Sequence, residues 1–205
     1  MNPHQPIMNY LAHFYLSFDQ EPLIVGNLLG DFARGRLDHP RNAHYHTDIK
    51  KGILLHRQID YFTDSHPIGQ VCRQTLPANF GKYKGVVMDM YFDYFLAKYF
   101  AEYHSQPLKE FTAHIYGVLK KYQSILPPDA SALVDAMIKY DWLYHYQFLE
   151  GMNRSFNGMS KRFSFLIGIE QAGEELRLNE SMYEGYFRTF FPDLVSACKD
   201  FLSED

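Results

Sequence analysis

Cysteine is scarce in this 205-residue chain: Cys72 and Cys198 are the two present, far apart and outside any CxxC spacing. That argues against a disulfide framework and a cysteine-based zinc site, and both thiols read as small buried hydrophobes. Tryptophan occurs once, as Trp142, which core packing explains. Long apolar runs are missing too. Stretches such as Val86-Val87-Met88 are far too short to cross a bilayer, so no membrane partner is expected. The start, MNPHQPIMNY, has no basic segment followed by an apolar one, so no secretory signal is read and a cytoplasmic location is expected. An excess of positive charge is also lacking. The 20 Lys and Arg against 24 Asp and Glu leave a net charge of −4, which argues against a general nucleic-acid binder. No GxxxxGKS/T loop, GxGxxG after a strand, GxSxG elbow or HExxH pair occurs. ATP-driven chemistry, dinucleotide redox work, serine hydrolysis and structural zinc lose weight accordingly.

What the chain does have is apolar and aromatic: 46% hydrophobic residues, 17% aromatic, with 17 Phe and 16 Tyr. That is the balance of a chain that buries a full core. No Asn-Gly or Asp-Gly turn joins alternating strands, and apolar residues recur at i, i+3, i+4 instead. The spacing predicts helices near 9–17, 22–35, 46–64, 67–76, 84–104, 107–125, 130–146, 147–172 and 181–202. Ser65-His66-Pro67 and Pro127-Pro128-Asp129 punctuate the pattern, and Ser181-Met182-Tyr183-Glu184 matches a capping box. No repeat or linker divides it. The expectation is an all-α, single compact domain over residues 8–205, preceded by a flexible extension at 1–7.

Ten histidines are many for this length, and a few stand among acids. In ILLHRQIDYFTD (53–64), His56 and Asp60 are four apart and so rise from one helix face, ~6 Å apart along the axis, with Asp64 a turn further. An imidazole with carboxylates suits a first-row divalent metal. The plainer alternative is that His56 caps or bridges and Asp60 pairs with Arg57. In VVMDMYFDYFLAKYF (86–100), Asp89 and Asp93 are the only charges before Lys98, on a helix apolar nearly all round. Two carboxylates there repel and lose hydration, so they call for protons, cations or a metal. Asp31 follows an apolar turn in which Gly26 and Gly30 allow close helix approach. His13 is embedded among Tyr10, Leu11, Phe14 and Leu16, where a satisfied core histidine is the plainer reading. Asn157, Ser160 and Arg162 offer an amide, a hydroxyl and a guanidinium that suit a phosphate, or else form a solvated helix turn. The other histidines, at predicted helix ends or on polar helices, carry no assigned role.

Taken together, Met8-Asn9-Tyr10-Leu11-Ala12-His13, GNLLGDFARG (26–35), GILLHRQIDYFTD (52–64), MDMYFDYFL (88–96) and NGMSKR (157–162) resemble the acyl carrier protein phosphodiesterase family, in order and spacing. The resemblance runs from Met8 to about Pro192. It implies an all-α fold distantly like the HD-domain metal phosphohydrolases. It also implies removal of the 4′-phosphopantetheine group from holo-acyl carrier protein, an activity of fatty-acid metabolism. The implied cofactor is a divalent cation: manganese, with magnesium or ferrous iron as substitutes. The implied metal ligands are Asp31, His56, Asp60 and Asp89 or Asp93, with His13 as a further candidate. Asp60 or Asp93 would handle the attacking water, Arg57 or Arg162 would balance charge, and Asn157, Ser160 and Arg162 would hold the substrate phosphate. The rival readings are a metal phosphohydrolase acting on a small nucleotide or other phosphodiester, and a helical protein that binds the carrier without turnover.

Overall fold

Helical periodicity carries through to the fold. The computed structural model describes residues 10–162, 166 and 168–204, and no strand occurs among them. Residues 1–7, expected as an extension, lie outside the described residues. The helices are α1 (Tyr10–Tyr15), α2 (Glu21–Leu29), α3 (Thr47–Ser65), α4 (Pro67–Thr75), α5 (Lys84–Lys98), α6 (Phe100–Tyr103), α7 (Leu108–Lys121), α8 (Pro128–Lys139), α9 (Trp142–His145), α10 (Leu149–Arg162), α11 (Ala172–Leu178) and α12 (Glu180–Ser203). Short 3-10 turns connect several of them.

The α5 helix sits at the centre. Residues 86–88 and 90–97 are buried on it, as its unbroken apolar sequence requires. Around it pack α1, α4, α10 and α12, while α2 lies along α3 and α12 crosses α3, α4 and α5. One hydrophobic cluster runs through all of these helices, from Tyr10 to Cys198. Cys72 and Cys198 are both buried in it, and burial pushes each thiol up to about 12.

Two close approaches fix the site-bearing helices. A Cβ on Gly26 would fall 2.3 Å from the Ile49 carbonyl oxygen and 2.5 Å from Gly52 Cα. A Cβ on Gly30 would fall 2.1 Å from His56 Cγ. Gly26 therefore lets α2 meet the α3 backbone directly, and Gly30 leaves room for the His56 ring. The α1 helix is held differently. Asp93 of α5 accepts hydrogen bonds from the backbone N–H groups of Leu11 (2.9 Å) and Ala12 (2.8 Å), at the α1 N-terminus. A carboxylate there satisfies donors that the helix itself cannot pair. On the far side, the Tyr94 hydroxyl and Lys98 Nζ both donate to Glu180. Tyr99 donates to Glu184 (2.8 Å), and Arg188 bridges Glu184 and Glu102 (2.7 and 2.6 Å). This network ties α12 to α5 and α6.

Several predicted boundaries move. The helix expected over 22–35 ends at Leu29. Beyond it Arg57 takes the Ala33 and Gly35 carbonyls, at 2.8 Å each, and Gly35 adopts φ +73°. The span 84–104 is interrupted at Tyr99, which lies off helical geometry at φ −109°, ψ 23°. The span 130–146 breaks at Asp141, which is left-handed. From 147–172, the helix runs over Leu149–Arg162, and α11 is a separate element with Gly168 left-handed ahead of it. The capping box at Ser181 is not used: α12 starts at Glu180 after Asn179, without a side-chain cap. His66, not Ser65, caps α4, its Nδ1 accepting from the Ile68 N–H at 3.3 Å.

Two outcomes follow for stability. Gly26→Ala forces α2 from α3 and is expected to cost about 1–3 kcal/mol, lowering Tm by roughly 2–12 °C in a chain of this size, as read by thermal unfolding. Asp93→Ala strands two backbone donors and is expected to cost about 1–3 kcal/mol for each. Asp93→Asn, keeping one acceptor oxygen, should lose less, and urea unfolding of the two variants makes the comparison.

Candidate metal and phosphodiester site

Helices α1, α3, α5 and α12, with the turn after α2, enclose a cavity of about 240 Å³. From α1 comes His13, and from the turn comes Asp31. His56, Asp60, Thr63 and Asp64 come from α3, and Asp89, Phe92 and Asp93 from α5. Phe190, Phe191 and Leu194 of α12 form an apolar wall. Five of the lining residues are aspartates, and no lysine or arginine lines the cavity among the described residues.

The centre of the cavity is a pair of stacked imidazoles. The His13 and His56 rings lie 4.3 Å apart, inclined by 25°. Both turn Nε2 toward Asp60: His13 to Oδ1 at 3.5 Å, and His56 to Oδ2 at 3.2 Å. Asp31 Oδ1 stands 3.7 Å from His56 Nε2, while its Oδ2 accepts from the Tyr10 hydroxyl at 2.7 Å. Both imidazoles are almost wholly buried, whereas the Asp60 side chain is half-exposed at the opening. His56 reaches this point because α3 places it one turn before Asp60 and because Gly30 leaves room for its ring. The plainer alternative, an Asp60–Arg57 pair, is not formed among the described residues; Arg57 holds the backbone of the 30s loop instead.

Electrostatics separates the groups. Burial, and then the neighbouring His56 charge, lower His13 to about 4, so this ring is neutral near pH 7. Burial works in the same direction on His56, but its hydrogen bond to Asp60 and the charges of Asp60 and Asp31 outweigh it and raise the ring above its ordinary value. Burial opposes the charged form of Asp60, yet the bond from His56 and the two imidazoles hold it below the usual carboxylate range. Burial raises Asp93 to about 7 against its two backbone donors, which favour the ionised form. Asp89 is raised well above the carboxylate range by burial and by the charges of Asp60, Asp64 and Asp93, and it makes no hydrogen bond or ion pair among the described residues. Asp64 is paired with Arg73 at 2.9 Å.

The residues fit a divalent cation. Ligand atoms of His13, His56 and Asp60 lie within 4.8 Å of one another, and two imidazoles with a carboxylate are a common donor set for a first-row metal. His56 Nδ1 is buried without a hydrogen bond, the Asn27 carbonyl acting on the ring from the α2 side.

Of the residues singled out in sequence, His13, Asp31, His56, Asp60, Asp89 and Asp93 are brought together. Arg57 does not line the cavity. Asn157 and Ser160 are turned to their own helix, donating to the Asn153 and Asn157 carbonyls at 2.8 and 3.1 Å. Arg162 lies near enough to Tyr10 to act on its phenol electrostatically. The sequence reading missed Tyr10, Asn27 and the α12 wall. Asn27 had a local signal, an amide inside an apolar turn, while Phe190, Phe191 and Leu194 had none, because their role depends on contacts across the whole chain.

The profile of the acyl carrier protein phosphodiesterase family matches residues 8–194. An acyl carrier protein phosphodiesterase of Enterobacter sp. (strain 638) is 28% identical over 194 residues, covering 94% of this chain and 98% of the relative. One of Serratia proteamaculans (strain 568) is 28% identical with the same coverage. One of Salmonella dublin is 28% identical over 190 residues, covering 92% and 96%. No solved structure matches. The matched span takes in the residues that line the cavity, from Ala12 of α1 to Leu194 of α12, and the chain belongs to the acyl carrier protein phosphodiesterase family.

Proposed function

We propose that this chain hydrolyses the phosphodiester that joins 4′-phosphopantetheine to the carrier serine of holo-acyl carrier protein, releasing apo-protein and free 4′-phosphopantetheine. The observation that carries the reading is the acid-lined cavity with His13, His56 and Asp60 at its centre, in a chain whose relatives are named for this activity over nearly their full length. His13, His56 and Asp60 would hold a divalent cation, with Asp31 beside His56 as the next ligand; manganese is the ion we favour. Such an ion supplies Lewis acidity toward a phosphoryl oxygen and lowers the pKa of a bound water.

The remaining tasks fall to the chain's own groups. Asp60 is half-exposed, whereas both Asp93 oxygens accept from the α1 backbone. We therefore give Asp60 the orientation of the attacking water, and Asp93 the anchoring of the helix that carries His13. Asp89 has no hydrogen-bond partner among the described residues, and burial favours its protonated form, so it is suited to protonate the departing serine oxygen. Arg162, whose charge acts on the Tyr10 phenol, is the cation assigned to the phosphate. The apolar α12 wall excludes water from one side of the phosphate.

Incubation of holo-carrier protein with the enzyme and manganese is expected to remove the phosphopantetheine mass, read by intact-mass spectrometry. Chelation should abolish the loss, and His56→Ala and Asp60→Ala should lower it by at least about 100-fold. A small phosphodiester turned over instead of the carrier favours the nucleotide-type reading, and bound carrier with no mass change favours a binding protein. Docking has its own test. Arg34, Arg36 and Arg41 are exposed around the loop that follows Asp31. For an acidic carrier, kcat/KM should fall several-fold as ionic strength rises. A flat response removes steering from the account.

A further inference from the structure

Behind His13 lies a buried polar chain that the proposed reaction leaves unused. Ser17 Oγ lies 3.0 Å from the His13 carbonyl oxygen, and Asn27 Nδ2 lies 2.8 Å from Ser17 Oγ. Asn27 Oδ1 faces His13 Nδ1 at 3.3 Å. Ser17 and Asn27 are fully buried.

The direction of every bond in this chain is determined. A carbonyl oxygen accepts only, so the single Ser17 hydroxyl proton points at the His13 carbonyl. Ser17 Oγ can then only accept, which requires the amide nitrogen of Asn27 to face it. The amide oxygen must therefore face His13, and an amide oxygen also accepts only. The proton of this bond belongs to His13 Nδ1.

We propose that Asn27 is a positioning residue that holds His13 in the Nδ1–H tautomer and so leaves the Nε2 lone pair to face Asp60 and the metal site. The metal half of this statement rests on the function proposed above; the tautomer half does not. A buried acceptor behind the ring sets both tautomer and orientation, as carboxylates and carbonyls do behind other ligating histidines. Asn27 sits one residue after Gly26, so the close contact of α2 with α3 also fixes where this acceptor stands.

The test uses the full-length, metal-free, 15N-labelled protein. Long-range proton–nitrogen correlation spectra assign the ring nitrogens, and His13→Gln identifies the His13 signals by their loss. The wild-type ring is expected to show a protonated Nδ1 and an unprotonated Nε2. Asn27→Leu removes the acceptor and should give mixed or reversed tautomers, with Mn²⁺ binding weakened about 10–100-fold in a titration without substrate. Ser17→Ala frees the Asn27 amide to turn and should shift both readouts the same way by less, which serves if Asn27→Leu fails to fold. An Nε2–H pattern in the wild-type protein overturns the proposal without any variant. So do folded variants with unchanged spectra and unchanged Mn²⁺ affinity. An Nδ1–H pattern in a wild-type protein that binds no Mn²⁺ sinks the metal reading and leaves the tautomer assignment standing.

Discussion

The direct contact of α2 with α3 is the constraint on which the site depends. Gly26 meets Gly52 backbone to backbone, and Gly30 lies under the His56 ring, so a single methyl at either glycine would occupy space already filled. This contact delivers four side chains at once. His56 and Asp60 come from α3, Asp31 from the turn that ends α2, and Asn27 from the buried face of α2. Interiors packed this tightly deform little, so the spacing between the imidazoles and the carboxylates is a property of the backbones more than of the side chains.

Much of this was legible in the sequence, and the reasons differ from residue to residue. The His56–Asp60 pair follows from helical spacing alone, since residues four apart on a helix share a face whatever the tertiary context. Asp89 and Asp93 were identifiable as buried acids because nothing polar surrounds them in sequence. What they do there was not. A buried carboxylate can be satisfied by protons, cations or backbone amides, and Asp93 is met by the amides of Leu11 and Ala12, 82 and 81 residues away. Such a partner leaves no trace in local composition. Arg57 illustrates the reverse case: a guanidinium three residues before Asp60 on a helix invites an ion-pair reading, yet its partners are main-chain carbonyls. Helix ends were misplaced where a residue left helical geometry without glycine or proline to announce it, as at Tyr99 and Asp141.

The cavity has two characters. Toward α1 and α3 it is polar and rich in acids, with neutral His13 beside the more basic His56. Toward α12 it is aromatic and dry. A phosphodiester carries charge at its centre and organic groups on either side, so one boundary between these halves accommodates both parts of such a molecule.

The α12 wall has a consequence for how the protein comes into being. Residues 190–194 lie far along the chain from His13, and their helix is held by the Glu180–Lys98 and Arg188–Glu102 ion pairs to α5 and α6 and by the hydrogen bond from Tyr99 to Glu184. During synthesis the acids and imidazoles emerge first and can assemble on the ribosome, but the pocket has an open flank until the final helix is translated and docks. Docking of α12 is therefore the step that closes the cavity, and it comes after the acids and imidazoles have been synthesised.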